Sequence, residues 1–353
     1  MLAHQNGQTM NGSIPRIAII GCGAVTELRH LPALAALKIK PVILVDVNLD
    51  RARALAESHN IATASVDYRS RTAEFDAAIL ALPHHLHAEF CLDLLDRGIH
   101  LLVEKPLALT TRECDAIIDQ ARKKNAILAV GLMRRFLHVS QWVKSILDSK
   151  LLGSIQSFDI REGSIYSWPM ASNAFLCKSS AGGGVLIDTG AHTLDLINWW
   201  FRDVTLDRYY DDSYGGVEAD CQLHLKLSNG ADGFVELSRT RRLRGTAIIN
   251  GDKGKIEVSL SRNQIVSAEP KDFLRHELGQ ISGSQMPVQD FNDLFVLQIQ
   301  DWVRAITARQ APFVPGAEAR RSIALIETCY QQRRTLDLPW LRPAMSNAVA
   351  LGK

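Results

Sequence analysis

A short apolar run, Ile14 to Ile20, stops at Gly21-Cys22-Gly23, and beyond it the apolar period changes. Leu28, Leu31, Leu34 and Leu37 recur at helical spacing, so the segment reads as strand, glycine turn, helix. This unit constrains the fold more than any other feature, because it repeats. Pro41–Asp46 is followed by a helix at Leu49–His59, and Ala77–Leu82 by one at Leu86–Arg97, with Gly98 as its C-cap. His100–Glu104, a helix around Arg112–Lys124 and a short strand at Ile127–Val130 close the series. Buried strands alternating with helices at this spacing require right-handed βαβ crossovers, hence a parallel sheet covered on both faces. Residues 14–135 are therefore expected to form a doubly wound α/β domain behind a flexible leader at 1–13.

Near Arg134–Phe136 the rhythm breaks. A helix at Val139–Asp148 precedes a strand at Ile155–Arg161, and Val204–Ser267 is mostly alternating strand pattern. Leu223–Leu227 and Gly233–Leu237 flank Asn229-Gly230 as a hairpin, and Ile248–Val258 folds around Gly251–Gly254 as another. Phe291–Ala308 and Ala317–Arg333 read as two closing helices. Residues 136–340 should thus be an α+β domain with a large, mostly antiparallel, open-faced sheet, followed by a tail at 341–353. The length, 353 residues, agrees with two domains at about 150 residues each.

Composition excludes several functions. Lys and Arg number 40 against 38 Asp and Glu, a net +2 too balanced to nominate nucleic acid or an anionic membrane as partner. The longest unbroken apolar run, Ala77–Leu82, falls far short of the ~20 residues of a membrane span. The first residues lack the apolar core of a signal peptide, and the six cysteines include no CxxC pair. They read as buried, reduced thiols of a cytoplasmic protein, and no cluster offers a metal site.

Gly21-Cys22-Gly23-Ala24-Val25-Thr26 fits G-x-G-x-x-[G/A] except at its last position. Such glycines let the backbone approach a pyrophosphate, which then rests on the positive end of the next helix. Asp46, ending the second strand, can accept both adenosine ribose hydroxyls and repel a 2′-phosphate, which favours NAD over NADP. Arg51 is the neighbour that could tolerate a phosphate, and an ordinary strand-end carboxylate is the alternative reading of Asp46. Glu104-Lys105-Pro106-Leu107-Ala108 puts a lysine at the carboxyl end of a strand, facing the ligand crevice of an open α/β sheet. After Gly182-Gly183-Gly184, Asp188 and His192 stand four apart on one helical face and address one small volume.

Together these segments resemble the Gfo/Idh/MocA oxidoreductase family, named after glucose-fructose oxidoreductase and inositol dehydrogenase. The resemblance runs from Ile14 to Trp340 and includes His30-Leu31-Pro32-Ala33-Leu34, Leu82-Pro83 with His87, and Arg135-Phe136. It implies a Rossmann domain in front and a reactive group of Lys105, Asp188 and His192. It also implies that Gly21, Gly23, Ala24, Val25, Asp46, Leu82, Pro83, His87, Glu104 and Lys105 surround the cofactor. Arg135, Tyr166 and Trp168 would face the substrate, with core packing an equal reading for Trp168. His84 departs from the pattern, since relatives often carry Asn after that proline. Asp195 reads as a structural carboxylate that orients its neighbours, and His85 and His138 as ordinary loop or surface histidines.

The chemistry suits these side chains. Hydride leaves a secondary alcohol more easily when the proton leaves with it, and His192 has a near-neutral pKa without help. Lys105 would stabilise the oxygen as charge develops. The expected activity is reversible, NAD-dependent oxidation of a ring secondary alcohol on a sugar, cyclitol or nucleotide sugar. A lyase or glycosidase recycling tightly bound NAD is the alternative within the family, and a non-enzymatic NAD-sensing regulator would have no need of the reactive trio. Relatives commonly associate through the outer face of the second sheet, which implies a homo-oligomer, dimer or tetramer.

Overall fold

The computed structural model describes residues 14–169, 173–270 and 289–337. The leader at 1–13 and the tail at 341–353 lie outside the described residues. The first part runs β1 (Ile17–Ile20), α1 (Leu31–Ala36), β2 (Ile43–Val45), α2 (Leu49–Ser58), β3 (Thr63–Ser65), β4 (Ala77–Leu80), α3 (His87–Asp96), β5 (His100–Val103), α4 (Thr111–Lys123) and β6 (Leu128–Val130). Its sheet has the order β3-β2-β1-β4-β5-β6, with every pair parallel. β1, β4 and β5 are buried on both faces, which is why they read as unbroken apolar runs. The order reverses between β1 and β4, the switch point where a doubly wound sheet opens its ligand crevice. Side-chain caps set two of the helices in register, Asn48 for α2 and a Thr110–Glu113 capping box for α4.

The second part continues with α5 (His138–Asp148), β7 (Ile155–Gly163), α6 (Lys178–Ala181), α7 (Val185–Phe201), β8 (Val204–Asp211), β9 (Asp220–Leu227), β10 (Asp232–Ser238), β11 (Thr246–Gly251), β12 (Gly254–Ser259), β13 (Ile265–Glu269), α8 (Phe291–Ala308), α9 (Gly316–Gln331) and β14 (Arg333–Thr335). The sheet order is β13-β12-β11-β7-β10-β9-β8-β14, antiparallel except for the β7–β10 and β8–β14 pairs. The two expected hairpins are present as β9–β10 and β11–β12. α7, buried along most of its length, packs on this sheet and against α5 and α9.

Three local readings change. β3 was not expected: three half-buried residues, Thr-Ala-Ser, pair with β2 and carry no apolar signal. The last helix ends at Gln331 rather than Arg333, because Arg333–Thr335 turns out to pair with β8 and Arg333 bonds the buried Asp211. Among the six cysteines, all free, Cys177 is exposed while the others are buried. The closing helices also touch the first domain, α8 against α1 and α9 against α4. Pro315 forms a bridge with Ala129, and Val314 accepts from Val130, which covers the β6 edge of the parallel sheet.

Candidate active site

The glycine turn leaves β1 with Gly21 at φ +100°, where a Cβ would sit 2.1 Å from the Ala81 carbonyl oxygen. Only glycine allows β1 and β4 to approach so closely here. Gly23 has no atom within 4 Å of its Cβ direction, so the space above the turn is open. Thr26, where the motif expects a small residue, is buried and donates its hydroxyl to Gly21 O at 2.6 Å. The helix opens with a wide turn, in which Leu31 N–H reaches back to Thr26 O, and no side chain caps its N-terminus. Asp46 accepts from Cys22 N at 2.7 Å and Asn48 N at 2.9 Å, bracing the turn while each oxygen keeps a further lone pair. Arg51 is committed to Cys22 O and to Glu27, at 2.7 Å. An open cradle, an uncapped helix end and a strand-end carboxylate fit a dinucleotide. Ala24 and Val25, in the first helical turn, and Leu82 and Pro83, at the end of β4, are half-buried beside this space.

Lys105 follows β5, and its Nζ donates to the Asp188 carboxylate and, at 3.2 Å, to the Asp188 carbonyl. This contact joins the two domains. Arg239, one residue beyond β10, donates Nη2 to the other Asp188 oxygen at 2.7 Å. Burial works to raise the Asp188 pKa, but Lys105 and Arg239 prevail and hold it well below the usual carboxylate range. One turn further along α7, His192 is buried, and its Nδ1 is sealed from solvent without a partner. The near-neutral pKa expected of His192 is corrected: burial first, then Arg134 and Lys105, push it well below the ordinary histidine value. The imidazole is therefore held neutral.

Several expected contacts move to other roles. His87 is fully buried, and its two ring nitrogens face Pro106 O at 2.7 Å and Leu82 O at 2.9 Å. It braces the strand ends and presents no atom to a cofactor. Glu104 turns to His30 Nε2 at 2.8 Å and accepts from Lys105 N, so it fixes the lysine backbone. Arg135, expected at the substrate, is 2% exposed and bonded to Asp195 at 2.6 and 2.8 Å, with Trp199 against its guanidinium. Asp195 is accordingly structural. The neighbouring Arg134 points to the site side instead and is held by both oxygens of Glu162, at 2.6 and 2.7 Å. His84 is buried against Phe175, with Nδ1 2.9 Å from Ala181 O, and burial next to Lys105 pushes its pKa down to about 3. His85 is exposed and sits 3.2 Å from Ser180 O. Tyr166 lies under the Arg239 guanidinium, 4.8 Å from its ring centre, and Trp168 lies 6.0 Å from Arg29 in the first domain.

Arg239 and Arg134 were missed. Arg239 stands two residues beyond the Gly233–Leu237 strand pattern, so a search of strand ends in the second domain would have found it. Nothing in the pair Arg134-Arg135 tells which member faces inward. Among the described residues no cluster could hold a metal ion, and no helix is long and apolar enough to cross a membrane.

Comparison with known proteins matches residues 15–132 to the model of an oxidoreductase family with an NAD-binding Rossmann fold, and residues 140–257 to the GFO/IDH/MocA C-terminal domain. The chain is 26% identical over 236 residues to trans-1,2-dihydrobenzene-1,2-diol dehydrogenase of Xenopus tropicalis, covering 65% of this chain and 69% of that protein. It is 31% identical over 192 residues to D-glucoside 3-dehydrogenase of Escherichia coli K12, covering 53% and 54%. The structure of levoglucosan dehydrogenase in complex with NADH superposes with a TM-score of 0.76 at 22% identity, over 91% of this chain and 99% of that one. That likeness shows the shared two-domain fold.

Proposed function

The chain belongs to the Gfo/Idh/MocA oxidoreductase family, and from that premise we propose that it interconverts a ring secondary alcohol and the ketone of a sugar, cyclitol or nucleotide sugar with NAD. The observation that carries this reading is the convergence of Lys105, from the cofactor domain, with Asp188 and His192 on one face of α7. Relatives named for glucoside and levoglucosan oxidation support the substrate class.

NAD, when bound, supplies the hydride acceptor. A neutral His192 takes the alcohol proton at Nε2, which the buried and unpartnered Nδ1 leaves as its working nitrogen. Lys105 donates to the same oxygen as negative charge builds on it, with Asp188 fixing the ammonium in place. Once protonated, His192 sits close to Lys105 and Arg134, so it is a willing acid and returns the proton to a ketone in the reverse direction. Gly21, Gly23 and the uncapped helix end would hold the pyrophosphate, Asp46 the adenosine ribose, and the exposed Val47 beside it an adenine face. Asp46 is the reason to assign NAD rather than NADP. A homo-oligomer through the open face of the second sheet, where Arg161, Phe234 and Glu236 form a contact cluster, is part of the same proposal; light scattering of the purified chain tests it.

The deciding experiment offers NAD with a panel of sugars, inositols and nucleotide sugars and follows the reduced nicotinamide absorbance. One or more should reduce added NAD in proportion to product formed. Failure across all three classes, with NAD bound normally, would overturn the reading.

A further inference from the structure

We propose that the substrate carries a carboxylate, bound by Arg239 beside the hydroxyl that reacts. The inference rests on the dehydrogenase reading and deepens it.

Arg239 is built into the crevice rather than draped over it. Its backbone is pinned on both sides, N–H to Ala219 O at 2.8 Å and carbonyl to Tyr166 N at 2.9 Å, and its side chain is only 10% exposed. Tyr166 lies against the guanidinium face. Of the five N–H donors, Nη2 serves Asp188, whereas Nε is sealed without an acceptor and Nη1 meets none among the described residues. The sealed Nε is out of a ligand's reach, but Nη1 and the second Nη2 hydrogen form the end-on fork of a guanidinium that is mostly out of water, and a carboxylate matches that fork.

The charges point the same way. Lys105 and Arg239 share a single carboxylate, Asp188. The other charges nearby cancel or turn aside: Arg134 is neutralised by Glu162, and Glu104 faces His30. Arg239 thus has only a share of one carboxylate in a partly desolvated place, a donor surplus that a ligand anion would meet. The cofactor phosphates do not account for it. Their cradle is at the end of β1, two strands or about 10 Å from Lys105 at the end of β5, and Arg239 belongs to the opposite sheet. The reacting oxygen does not account for it either, since Lys105 and His192 already address it.

The test uses the full chain with NADH and measures dissociation constants by calorimetry for D-glucuronate and D-galacturonate against D-glucose, D-galactose and D-glucose 6-phosphate. An acid should bind about tenfold or more tightly than its neutral counterpart. Arg239→Gln should erase that preference, and Arg239→Lys should keep part of it. Equal binding of acid and neutral sugar, no binding of either acid, a preference for the phosphate, or an equal loss for both classes in Arg239→Gln would each overturn the proposal. Oxidation of neutral sugars without any acid preference defeats this inference and leaves the dehydrogenase reading standing. Selective binding of an acid by a chain that never reduces NAD does the opposite.

Discussion

Two glycine-rich turns each lead into a helix, and they do opposite things. At Gly21–Gly23 the turn is closed against β4 at Gly21 but open at Gly23: nothing lies within 4 Å of a Cβ on Gly23, and no side chain caps the helix that follows. At Gly182–Gly184 the turn is filled by protein. A Cβ on Gly183 would meet the Tyr330 hydroxyl at 1.9 Å, and one on Gly184 the Glu218 carbonyl oxygen at 1.8 Å. Glu218 also caps α7, its carbonyl accepting from Val185 N and its carboxylate from Leu186 N, both at 2.9 Å, while Tyr330 donates to the same carboxylate. On the proposed reading the first turn keeps its anion site for a ligand. The second spends its anion site on an internal carboxylate, and so fixes the helix that carries Asp188 and His192. Glycine runs before helices thus mark a close approach, and what approaches is decided elsewhere in the chain.

On the proposed reading the second turn positions Asp188 and His192 for the chemistry, with Lys105 reaching them from the first domain, and the first turn holds the cofactor. The largest effect should come from the reactive pair. His192→Ala and Lys105→Ala should each lower kcat by about 10²–10⁴-fold, the usual worth of a positioned base or oxyanion donor. NAD binding, followed by fluorescence titration, should be unchanged by His192→Ala. Normal turnover of His192→Ala would detach the chemistry from α7, and normal turnover of Lys105→Ala would detach it from the end of β5. Next comes Gly184→Ala. Its methyl group would collide with the backbone of Glu218, which cannot swing away, so unfolding should cost about 3 kcal/mol less, in the range of overpacked sites. Urea titration with an unchanged midpoint would show that the second turn is looser than its contacts indicate.

Much of this was legible beforehand, for a physical reason. Strands buried on both faces, such as Ala77–Leu80, must be apolar throughout, and the glycines are forced by backbone contact, so both leave marks in the sequence. The positions of Lys105 and Asp188 follow from the same rules, since a strand end and a helix register aim them. Partner choice is different. Arg135 and Arg134 are equal as letters, yet one is sealed against Asp195 and the other held by Glu162 at the crevice. His87 carries a motif position but spends both nitrogens on backbone carbonyls. The His192 pKa likewise depends on burial and on two cations remote in sequence, which no local pattern encodes.

Burial of histidines gives the third prediction. His84, His87 and His192 all have pKa values lowered by burial, His84 to about 3. Between that value and the unfolded value near 6.5, the unfolded chain binds more protons than the folded one. Stability is therefore complete above about pH 6.5 and is lost as the pH falls. His84 alone accounts for about 2 kcal/mol by pH 5. Tm measured from pH 8 to 5 should fall along the acid limb, and His84→Asn should flatten that fall. A slope unchanged by the substitution would mean that His84 takes up its proton without cost.

The smallest expected effect bears most directly on the comparison. Gly23→Ala adds a methyl group where no protein atom stands, at a residue outside the left-handed region. Folding should tolerate it, with Tm unchanged or slightly raised, because alanine restricts the unfolded chain more than glycine does. The same methyl group occupies the space through which a pyrophosphate would approach the backbone, so the NAD dissociation constant should rise by about tenfold, near 1.4 kcal/mol. Gly184→Ala should behave in reverse, losing stability first. If Gly23→Ala binds NAD as the wild type does, the open turn is not the phosphate cradle, and the two glycine turns differ only in how crowded they are.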